Sequence, residues 1–370
     1  MITCQGYSVA EPDAFETPAM LLFQDMMDHN IRSVCEMAGG GRNLMVHVKT
    51  HKSEAVARKQ VEVGIDGFKC ATLKELAMVL QAGARKAVLS YPQCQERKVE
   101  RLCDLAASYA DAWIATIVST PFHIEVLATV AARRKHPLRA MLDLDAGMRR
   151  TGVEFGLDAA TLYRAIDSHQ FLQPSGFHLY DGHDNFSDVV QREAAAQRHI
   201  ESLQEFRRQI ESAGMPVPCV VAGGSFSFAH YARTEGMHGS PGTFIYWDAG
   251  YRTAMPDMPF RWAALILTQV VDRYPDAGTI TADLGCKGVS GDLPVGERAY
   301  LLGQDAAQLI RQSEEHGVFR ISGELPRVGD YLLVVPGHVC PTTICYPGIH
   351  VLDAGGEAVD YYLHTARDRL

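Results

Sequence analysis

The sequence lacks the features of several common protein classes. Its 370 residues contain no apolar run long enough to cross a membrane. The N-terminal segment carries Glu11, Asp13 and Glu16 and lacks the basic and then apolar pattern of a signal peptide. No internal repeat beyond an alternation of strand and helix patterns, and no low-complexity tract, is present. We therefore expect a globular protein of the cytoplasm.

An excess of positive charge is also absent. The chain has 35 Lys and Arg residues against 44 Asp and Glu residues, which gives a net charge of -9. Such a chain offers no basic surface for nucleic acid or for an anionic membrane, so a small-molecule partner is expected. The 9 cysteines are scattered, and their odd number argues against a complete set of disulfides. We expect most of them to be reduced.

Strand and helix patterns alternate from residue 26 to residue 247. Eight strand-like segments separated by helical patterns predict an α/β fold, an N-terminal (β/α)8 barrel of the TIM type. A doubly wound open sheet is the structural competitor, because counting strands does not prove closure. The predicted strands are 44–49, 67–70, 86–90, 112–118, 138–144, 176–179, 218–222 and 242–247. The predicted helices are 26–40, 53–63, 73–82, 96–109, 121–134, 159–168, 189–213 and 226–235.

The pattern changes at about residue 260 to short β segments that are separated by Gly, Pro and Asp. This change predicts a C-terminal all-β domain. We therefore expect residues 18–255 to form the barrel, and residues 1–17 together with 256–370 to form the β domain.

The first predicted strand delivers a lysine between two histidines, in the order His47, Lys49 and His51. In a strand these three side chains would point to one face. A lysine that points inward is costly to bury unless its pKa is lowered or its amine is used covalently. Lys49 is therefore a candidate Schiff-base lysine at the mouth of a barrel. An edge strand with a solvated basic face explains the same periodicity equally well.

Unusual residues follow the ends of the later strands, which is where barrels of this type carry their chemistry. Glycines with hydroxyl residues come after the seventh strand and around the eighth, and backbone N–H groups approach a phosphate closely where side chains are missing. A Gly-Gly pair alone is more often a turn, but a lysine and a phosphate site in one barrel mouth predict pyridoxal phosphate. The candidates are Arg150, Tyr180, His183, Gly223, Gly224, Ser225, Gly242 and Thr243.

The predicted β domain holds a second candidate site, His338 and Cys340. On a strand, these two side chains would share one face and serve as adjacent ligands of one metal ion. A thiolate favours zinc over magnesium or calcium. Two ligands alone are a weak signal, and a buried cysteine near a hydrogen-bonded histidine is the commoner arrangement.

These residues resemble the motifs of the D-threonine aldolase and D-serine dehydratase family, pyridoxal phosphate enzymes with the alanine-racemase-like fold. The resemblance covers nearly the whole chain in the same order. It rests on Pro18-Ala19, His47-Val48-Lys49-Thr50-His51-Lys52, Asp145-x-Gly147-x-x-Arg150-x-Gly152, Tyr180-Asp181-Gly182-His183, Gly223-Gly224-Ser225, Pro241-Gly242-Thr243, Tyr246-x-Asp248, Ser313-Glu314-Glu315-His316-Gly317 and His338-x-Cys340.

The resemblance implies a role for each of these residues. Lys49 would bind pyridoxal phosphate covalently, and Arg150 would face its pyridine nitrogen. Phosphate would be held by Gly223, Gly224, Ser225, Gly242 and Thr243. Tyr180 and His183 would line the pocket, with His183 as the proton-transfer group. His338 and Cys340 would hold a divalent metal, zinc above manganese or magnesium, beside the β-hydroxyl of the substrate. A homodimer with a shared active site is also implied.

The motifs leave the reaction open. Retro-aldol cleavage of a D-3-hydroxy amino acid to glycine and an aldehyde is our first expectation, and the Tyr180-Asp181-Gly182-His183 segment resembles D-threonine aldolases. Dehydration of D-serine or 3-hydroxy-D-aspartate to a 2-oxo acid and ammonia is the alternative, because Cys340 resembles the dehydratases where aldolases carry aspartate. An amino acid racemase and a non-catalytic pyridoxal phosphate-binding protein are weaker alternatives.

Overall fold

The structure is a computed structural model that describes residues 1–369. These residues divide into two compact units. One consists of Met1–Ser33, Thr50–Val56 and Thr243–Arg367 and is called the β unit below. The other consists of Val34–Lys49, Ala57–Gly242 and the residues that follow Arg367, and is called the barrel unit. The boundaries of these two units differ from the predicted domain boundaries, which lay before residue 18 and after residue 255.

The barrel unit contains an 8-stranded sheet in which all strands are parallel and follow their order in the chain. Its first and last strands are joined, because Met45 N donates to Gly239 O at 2.9 Å and His47 N donates to Pro241 O at 2.8 Å. The predicted (β/α)8 barrel is confirmed. Its strands are Val46–His47, Gly67–Cys70, Lys86–Leu89, Trp113–Val118, Leu138–Leu144, Leu172–Leu179, Val220–Ala222 and Met237–Gly239.

The predicted eighth strand, 242–247, is wrong. The eighth barrel strand is Met237–Gly239, and Thr243–Ile245 forms a 3-10 helix instead. Trp247 N donates to Thr243 O at 2.7 Å, which closes a helical turn. A short apolar run such as Phe244 to Trp247 does not distinguish a strand from a buried helical turn by its periodicity.

Helices follow the barrel strands, and local signals fix several of their ends. Thr72 accepts a hydrogen bond from Glu75 N, and Thr120 accepts one from His123 N ahead of Pro121. Both are N-cap arrangements that satisfy free N–H groups of the first turn. The helices are Leu73–Gln81, Glu96–Ser108, Pro121–Arg134, Leu157–Ser168, Val189–Ser212 and Phe228–Ala232. Gln24–Ala38 and Glu54–Glu62 contain residues of both units.

The β unit consists mostly of antiparallel strands, as predicted for a mostly-strand domain. The central strand, Ala264–Tyr274, pairs with three others. Ala19–Phe23, which the sequence did not reveal as a strand, is one of them. The strands are Ile2–Cys4, Tyr7–Val9, Ala19–Phe23, Ala264–Tyr274, Thr279–Ala282, Ala299–Leu301, Gln308–Gln312, Gly317–Arg320, Tyr331–Pro336, Gly348–Leu352 and Ala358–Leu363, and the helices are Ala249–Ala254 and Val339–Thr343.

Each unit has its own apolar core. In the barrel, side chains such as Met45, Val88 and Met141 fill the interior. In the β unit, Leu21, Leu265 and similar side chains pack together. All 9 cysteines lie within the described residues, and none of them forms a disulfide. Between residues 1 and 369 the structure has no helix with the length and apolarity that a membrane crossing requires.

Candidate active site

Lys49 lies in a turn beyond the first barrel strand, and its side chain is exposed. The predicted alternation along 44–49 is wrong past His47, because the strand is only Val46–His47 and Lys49 N donates to the His47 ring at 3.4 Å. Lys49 is not turned into the barrel wall. Its amine stands at the carboxyl end of the strand, where a barrel enzyme carries reactive groups.

His51 belongs to the β unit and is buried there. Its Nδ1 accepts a hydrogen bond from Ser53 N at 3.1 Å, while its Nε2 has no hydrogen-bond partner. Burial, and then the charge of His364, lower the pKa of His51 to about 3. The ring is therefore neutral and does not share an exposed face with Lys49.

The buried His51 predicts a loss of stability in mild acid. The unfolded chain takes up the proton near pH 6.5 while the folded chain does not, so stability is complete above that pH and falls as the pH drops toward 3. At pH 5 this histidine alone should cost about 2 kcal/mol. Urea unfolding of a His51→Gln variant between pH 7 and pH 5 should show a shallower loss than wild type. The exposed His169→Gln change is the control and should leave the slope unaltered.

Arg150 is held by a rigid loop after the fifth strand. Asp145 Oδ1 accepts hydrogen bonds from Gly147 N and Arg149 N, both at 3.0 Å. Gly147 and Gly152 both have positive φ, and a Cβ on Gly152 would lie 2.7 Å from Asp145 N. The loop places the Arg150 guanidinium over the Tyr180 ring, 4.9 Å from its centroid. The structure thus brings together two of the predicted residues.

His183 lies against the same loop. A Cβ on Gly147 would approach His183 Nε2 to 3.3 Å. The ring is partly exposed, and its Nε2 lies 3.9 Å from Asp184 Oδ1. An accessible imidazole beside this loop can exchange protons with a bound molecule.

A glycine cradle follows the seventh strand. A Cβ on Gly223 would lie 2.6 Å from the Tyr231 ring, and one on Gly224 would lie 2.9 Å from the Tyr180 ring. Gly223 also has a φ of +80°, which favours glycine. No side chain fits at either position, so an anion could approach the backbone closely here. Gly223 N donates to Leu179 O at 3.0 Å, and Gly224 N donates to Ser227 Oγ. Ser225, the next residue, is buried.

Asp181 supports this cradle through hydrogen bonds to the residues around it. Its Oδ1 accepts from Ser227 Oγ at 3.0 Å and its Oδ2 accepts from Tyr231 OH at 2.9 Å. Ser227 Oγ in turn accepts from Gly224 N at 3.3 Å. Burial and then the Asp181 charge raise the pKa of Tyr231 well above its usual value, so Tyr231 stays a donor. The buried carboxylate therefore fixes the loop that would hold a phosphate.

Replacement of Asp181 tests this bracing. An Asp181→Asn side chain loses one of the two acceptors, and we expect the dissociation constant for pyridoxal phosphate to rise about tenfold or more. Fluorescence titration of the cofactor-free protein measures it. Asp184→Asn is the matched control, since the Asp184 carboxylate pairs with His199, whereas the hydroxyls of Ser227 and Tyr231 donate to Asp181. Equal affinities in the two variants would contradict a role for Asp181 in the cradle.

His178 and Asp143 are buried neighbours near the carboxyl ends of the barrel strands, and the sequence did not predict them as a pair. His178 Nδ1 lies 2.6 Å from Asp143 Oδ1, and the two residues are neighbours in register. Burial lowers the pKa of His178 despite the Asp143 charge. The outer atoms, His178 Nε2 and Asp143 Oδ2, have no hydrogen-bond partner, and both residues line a small cavity with Arg150 and Tyr180. Such free polar atoms favour a polar guest.

Lys69 was also missed. It lies on the second strand with only 3% of its surface exposed, and its ammonium is 5.3 Å from the centroid of the Tyr180 ring. Burial and then the Lys49 charge lower its pKa to about 7, against the opposing effect of Asp143. A lysine inside the apolar Gly67–Cys70 strand was the one sequence signal for it.

The second candidate pair lies in the β unit, but not on a strand. The strand Tyr331–Pro336 ends first, and His338 is the residue that precedes the helix Val339–Thr343. The predicted strand geometry for the pair is therefore wrong, since Pro336 and Gly337 end the strand. The helical turn still brings the two side chains together, because they share a hydrogen bond.

The surroundings of this pair suit a metal only in part. His338 Nδ1 lies 2.6 Å from Asp292 Oδ2, which leaves Nε2 as a ligand atom. Burial lowers the pKa of His338, but Cys340, Asp292 and Asp248 raise it to about 9 overall. Cys340 Sγ lies 3.1 Å from Thr50 Oγ1 and 3.6 Å from Thr243 Oγ1. Residues 1–369 contain no group of three or more His, Cys, Asp or Glu side chains arranged to hold a metal.

Residues 24–249 match the family described as "Alanine racemase, N-terminal domain", and residues 263–352 match "Putative serine dehydratase domain". The chain belongs to the alanine racemase N-terminal domain family. It is similar to 3-hydroxy-D-aspartate aldolase of Paracoccus denitrificans (strain Pd 1222), with 26% identity over 88% of this chain and 86% of the relative. It is also similar to D-threo-3-hydroxyaspartate dehydratase of Delftia sp. (strain HT23), with 24% identity over 92% of this chain and 95% of the relative.

A solved structure agrees with this assignment. The crystal structure of D-threonine aldolase from Filomicrobium marinum superposes with a TM-score of 0.86 and 25% identity, over 95% of this chain and 96% of that chain. The predicted family, the predicted fold and the predicted enzyme class, a lyase, are thereby confirmed.

Pyridoxal phosphate is the cofactor that the family implies, and the barrel residues fit it. The cradle at Gly223 and Gly224 has no room for side chains, so a phosphate could approach its backbone closely. An exposed amine, Lys49, is present for covalent attachment. The unpartnered His178 Nε2 and Asp143 Oδ2 can bind a polar group in the same barrel.

Proposed function

We propose that this chain is a pyridoxal phosphate-dependent lyase that cleaves a D-3-hydroxy amino acid into glycine and an aldehyde. One observation carries the proposal. A single barrel mouth has an exposed lysine after its first strand and, after its seventh, a glycine cradle from which side chains are excluded. This combination suits a cofactor that needs both a covalent amine and an anion site.

The barrel residues would divide the binding of the cofactor. Lys49 provides the covalent attachment. The phosphate is held by Gly223, Gly224 and Ser225, with Gly242 and Thr243 completing the predicted set. Arg150, fixed by the Asp145 loop, is the cation assigned to the pyridine nitrogen. The bound cofactor supplies an electron sink for the charge that develops at the substrate Cα.

Two side chains would act on the substrate. His183 is accessible and accepts the proton from the β-hydroxyl, so that the Cα–Cβ bond breaks and an aldehyde leaves. The Cα then takes up a proton and glycine is released. Arg150 and Lys69 both face the Tyr180 ring, which would form part of the pocket wall.

A divalent metal on His338 and Cys340 is part of the same proposal. It would act as a Lewis acid on the β-hydroxyl, and a thiolate ligand favours zinc. Water or substrate must complete the coordination, since only two protein ligands are at hand. A homodimer with a shared active site also remains part of the proposal, and sedimentation velocity tests the dimer.

Dehydration is the second candidate, and Cys340 favours it. In that reaction Lys49 would remove the proton at Cα, and a metal held by His338 and Cys340 would supply Lewis acidity at the β-hydroxyl, so that a 2-oxo acid and ammonia would be the products. Both candidates use the same cofactor, metal and substrate class. They differ in which substrate bond the site holds perpendicular to the cofactor plane.

Product analysis separates the two reactions. The purified protein, loaded with pyridoxal phosphate and zinc or manganese, is incubated with D-threonine, D-allo-threonine, D-serine and D-3-hydroxyaspartate. Glycine with an aldehyde is the expected result. A 2-oxo acid with ammonia would establish the dehydratase instead. Racemised substrate would point to the racemase, and an unchanged substrate to a binding protein without turnover.

A further inference from the structure

Lys69 points into the barrel at the end where the predicted chemistry lies. Its register partner on the third strand is Val88, and register partners on neighbouring strands share a face. Val88 packs in the interior cluster with Met45 and Met141. The Lys69 side chain therefore rises from the interior face, one residue before the second strand ends at Cys70.

No carboxylate forms an ion pair with this ammonium in the part of the chain that the structure describes, although the charges of Asp143 and Asp181 favour it from a distance. Among residues 1–369 the ion pairs do not include Lys69. The two carboxylates whose charges act on Lys69 are Asp143 and Asp181, and both form hydrogen bonds with other residues. Asp143 pairs with His178 at 2.6 Å, and both oxygens of Asp181 accept hydroxyl hydrogen bonds from Ser227 and Tyr231.

The neighbours of Lys69 are instead an aromatic ring and further cations. Its ammonium faces the Tyr180 ring at 5.3 Å, and Arg150 faces the same ring at 4.9 Å. A cation–π contact recovers only part of what a buried ammonium loses on leaving water. Burial, and then the charges of Lys49 and Arg150, lower the pKa of Lys69 to about 7, although Asp143 and Asp181 raise it. The mouth thus has a deficit of negative charge.

We propose that Lys69 is an anion-binding residue of the barrel mouth, which contacts a negatively charged oxygen of the bound pyridoxal phosphate or of the substrate. This inference rests on the proposed function. An anionic oxygen of a bound molecule would form the ion pair that the buried ammonium does not form with any side chain of the described residues. A buried lysine with a purely structural role would be expected to pair with a carboxylate.

The two sources of that oxygen are separated by two titrations. Cofactor-free wild type, Lys69→Met and Lys69→Arg are titrated with pyridoxal phosphate, and its dissociation constant and absorption maximum are measured. The loaded proteins are then titrated with D-alanine and D-aspartate, which lack the β-hydroxyl, while the cofactor spectrum is followed. The control is Lys98→Met, an exposed lysine on the helix Glu96–Ser108.

A cofactor oxygen is the partner if Lys69→Met weakens pyridoxal phosphate about tenfold or more and shifts its absorption maximum, with recovery in Lys69→Arg. A substrate oxygen is the partner if only the amino acid titrations weaken by that factor. Loss for D-aspartate alone then assigns the side-chain carboxylate, and loss for both ligands assigns the α-carboxylate.

Wild-type constants in both titrations of Lys69→Met would overturn the inference. A wild type that never binds pyridoxal phosphate would instead overturn the proposed function, so the two failures are distinct. Thermal melts of the cofactor-free variants show whether the fold is kept. If Lys69→Met is insoluble, Lys69→Gln takes its place with the same expected losses.

Discussion

The Lys49→Ala variant should stay colourless after incubation with pyridoxal phosphate and gel filtration, while wild type retains a visible absorption band. Without the amine at the end of the first strand, the cradle at Gly223 and Gly224 can hold only the phosphate. Turnover of D-3-hydroxy amino acids should fall by about 10³-fold or more, because covalent attachment and proton transfer are lost together.

A second amine in the barrel could also react with the cofactor, so the prediction must identify which lysine is labelled. Lys69 also lies at the carboxyl ends of the barrel strands, and burial lowers its pKa to about 7, so that part of its amine is unprotonated at neutral pH. Borohydride reduction followed by peptide mapping should nevertheless label Lys49, because Lys49 is exposed and Lys69 is buried. A label on Lys69 would refute both the assignment of Lys49 and the anion-binding role of Lys69. Lys98→Ala serves as the control for loss of an exposed lysine.

Local sequence was sufficient for most of the barrel. The strands Gly67–Cys70 and Leu138–Leu144 were predicted at their observed bounds, because each is an apolar or β-branched run between turn signals. The strand Met237–Gly239 was missed because its three residues have no apolar pattern and are held by Val220–Ala222 and by Met45. Contacts between distant segments decide such short strands, and periodicity does not contain them.

The candidate site divides in the same way. The cradle glycines and Arg150 stand out in sequence because backbone geometry restricts the residues around them. Lys69 and His178 did not stand out, since each is the one basic residue in a mostly buried strand. Their importance comes from neighbours on other strands, Tyr180 for Lys69 and Asp143 for His178. Only the closed barrel brings those neighbours together.

The Cys340→Ala variant should lose its bound metal and about 10²-fold or more of its activity, while pyridoxal phosphate stays bound. The thiol is one of only two proposed protein ligands, so His338 alone should not retain zinc after dialysis. Metal analysis by mass spectrometry and the absorption band of the cofactor measure the two effects separately. Full activity in metal-free Cys340→Ala would remove the metal from the mechanism.

Two further variants show whether the loss of metal is specific to the His338 and Cys340 pair. Cys345→Ala removes another partly buried thiol of the same unit, whose Sγ donates to the Pro341 carbonyl at 3.8 Å, and should keep both metal and activity. Asp292→Asn leaves both ligands in place but weakens the hydrogen bond to His338 Nδ1, so metal affinity should fall about 10- to 100-fold. Loss of metal in Cys340→Ala and Asp292→Asn, but not in Cys345→Ala, would assign the ion to this pair, since a general loosening of the β unit would affect all three.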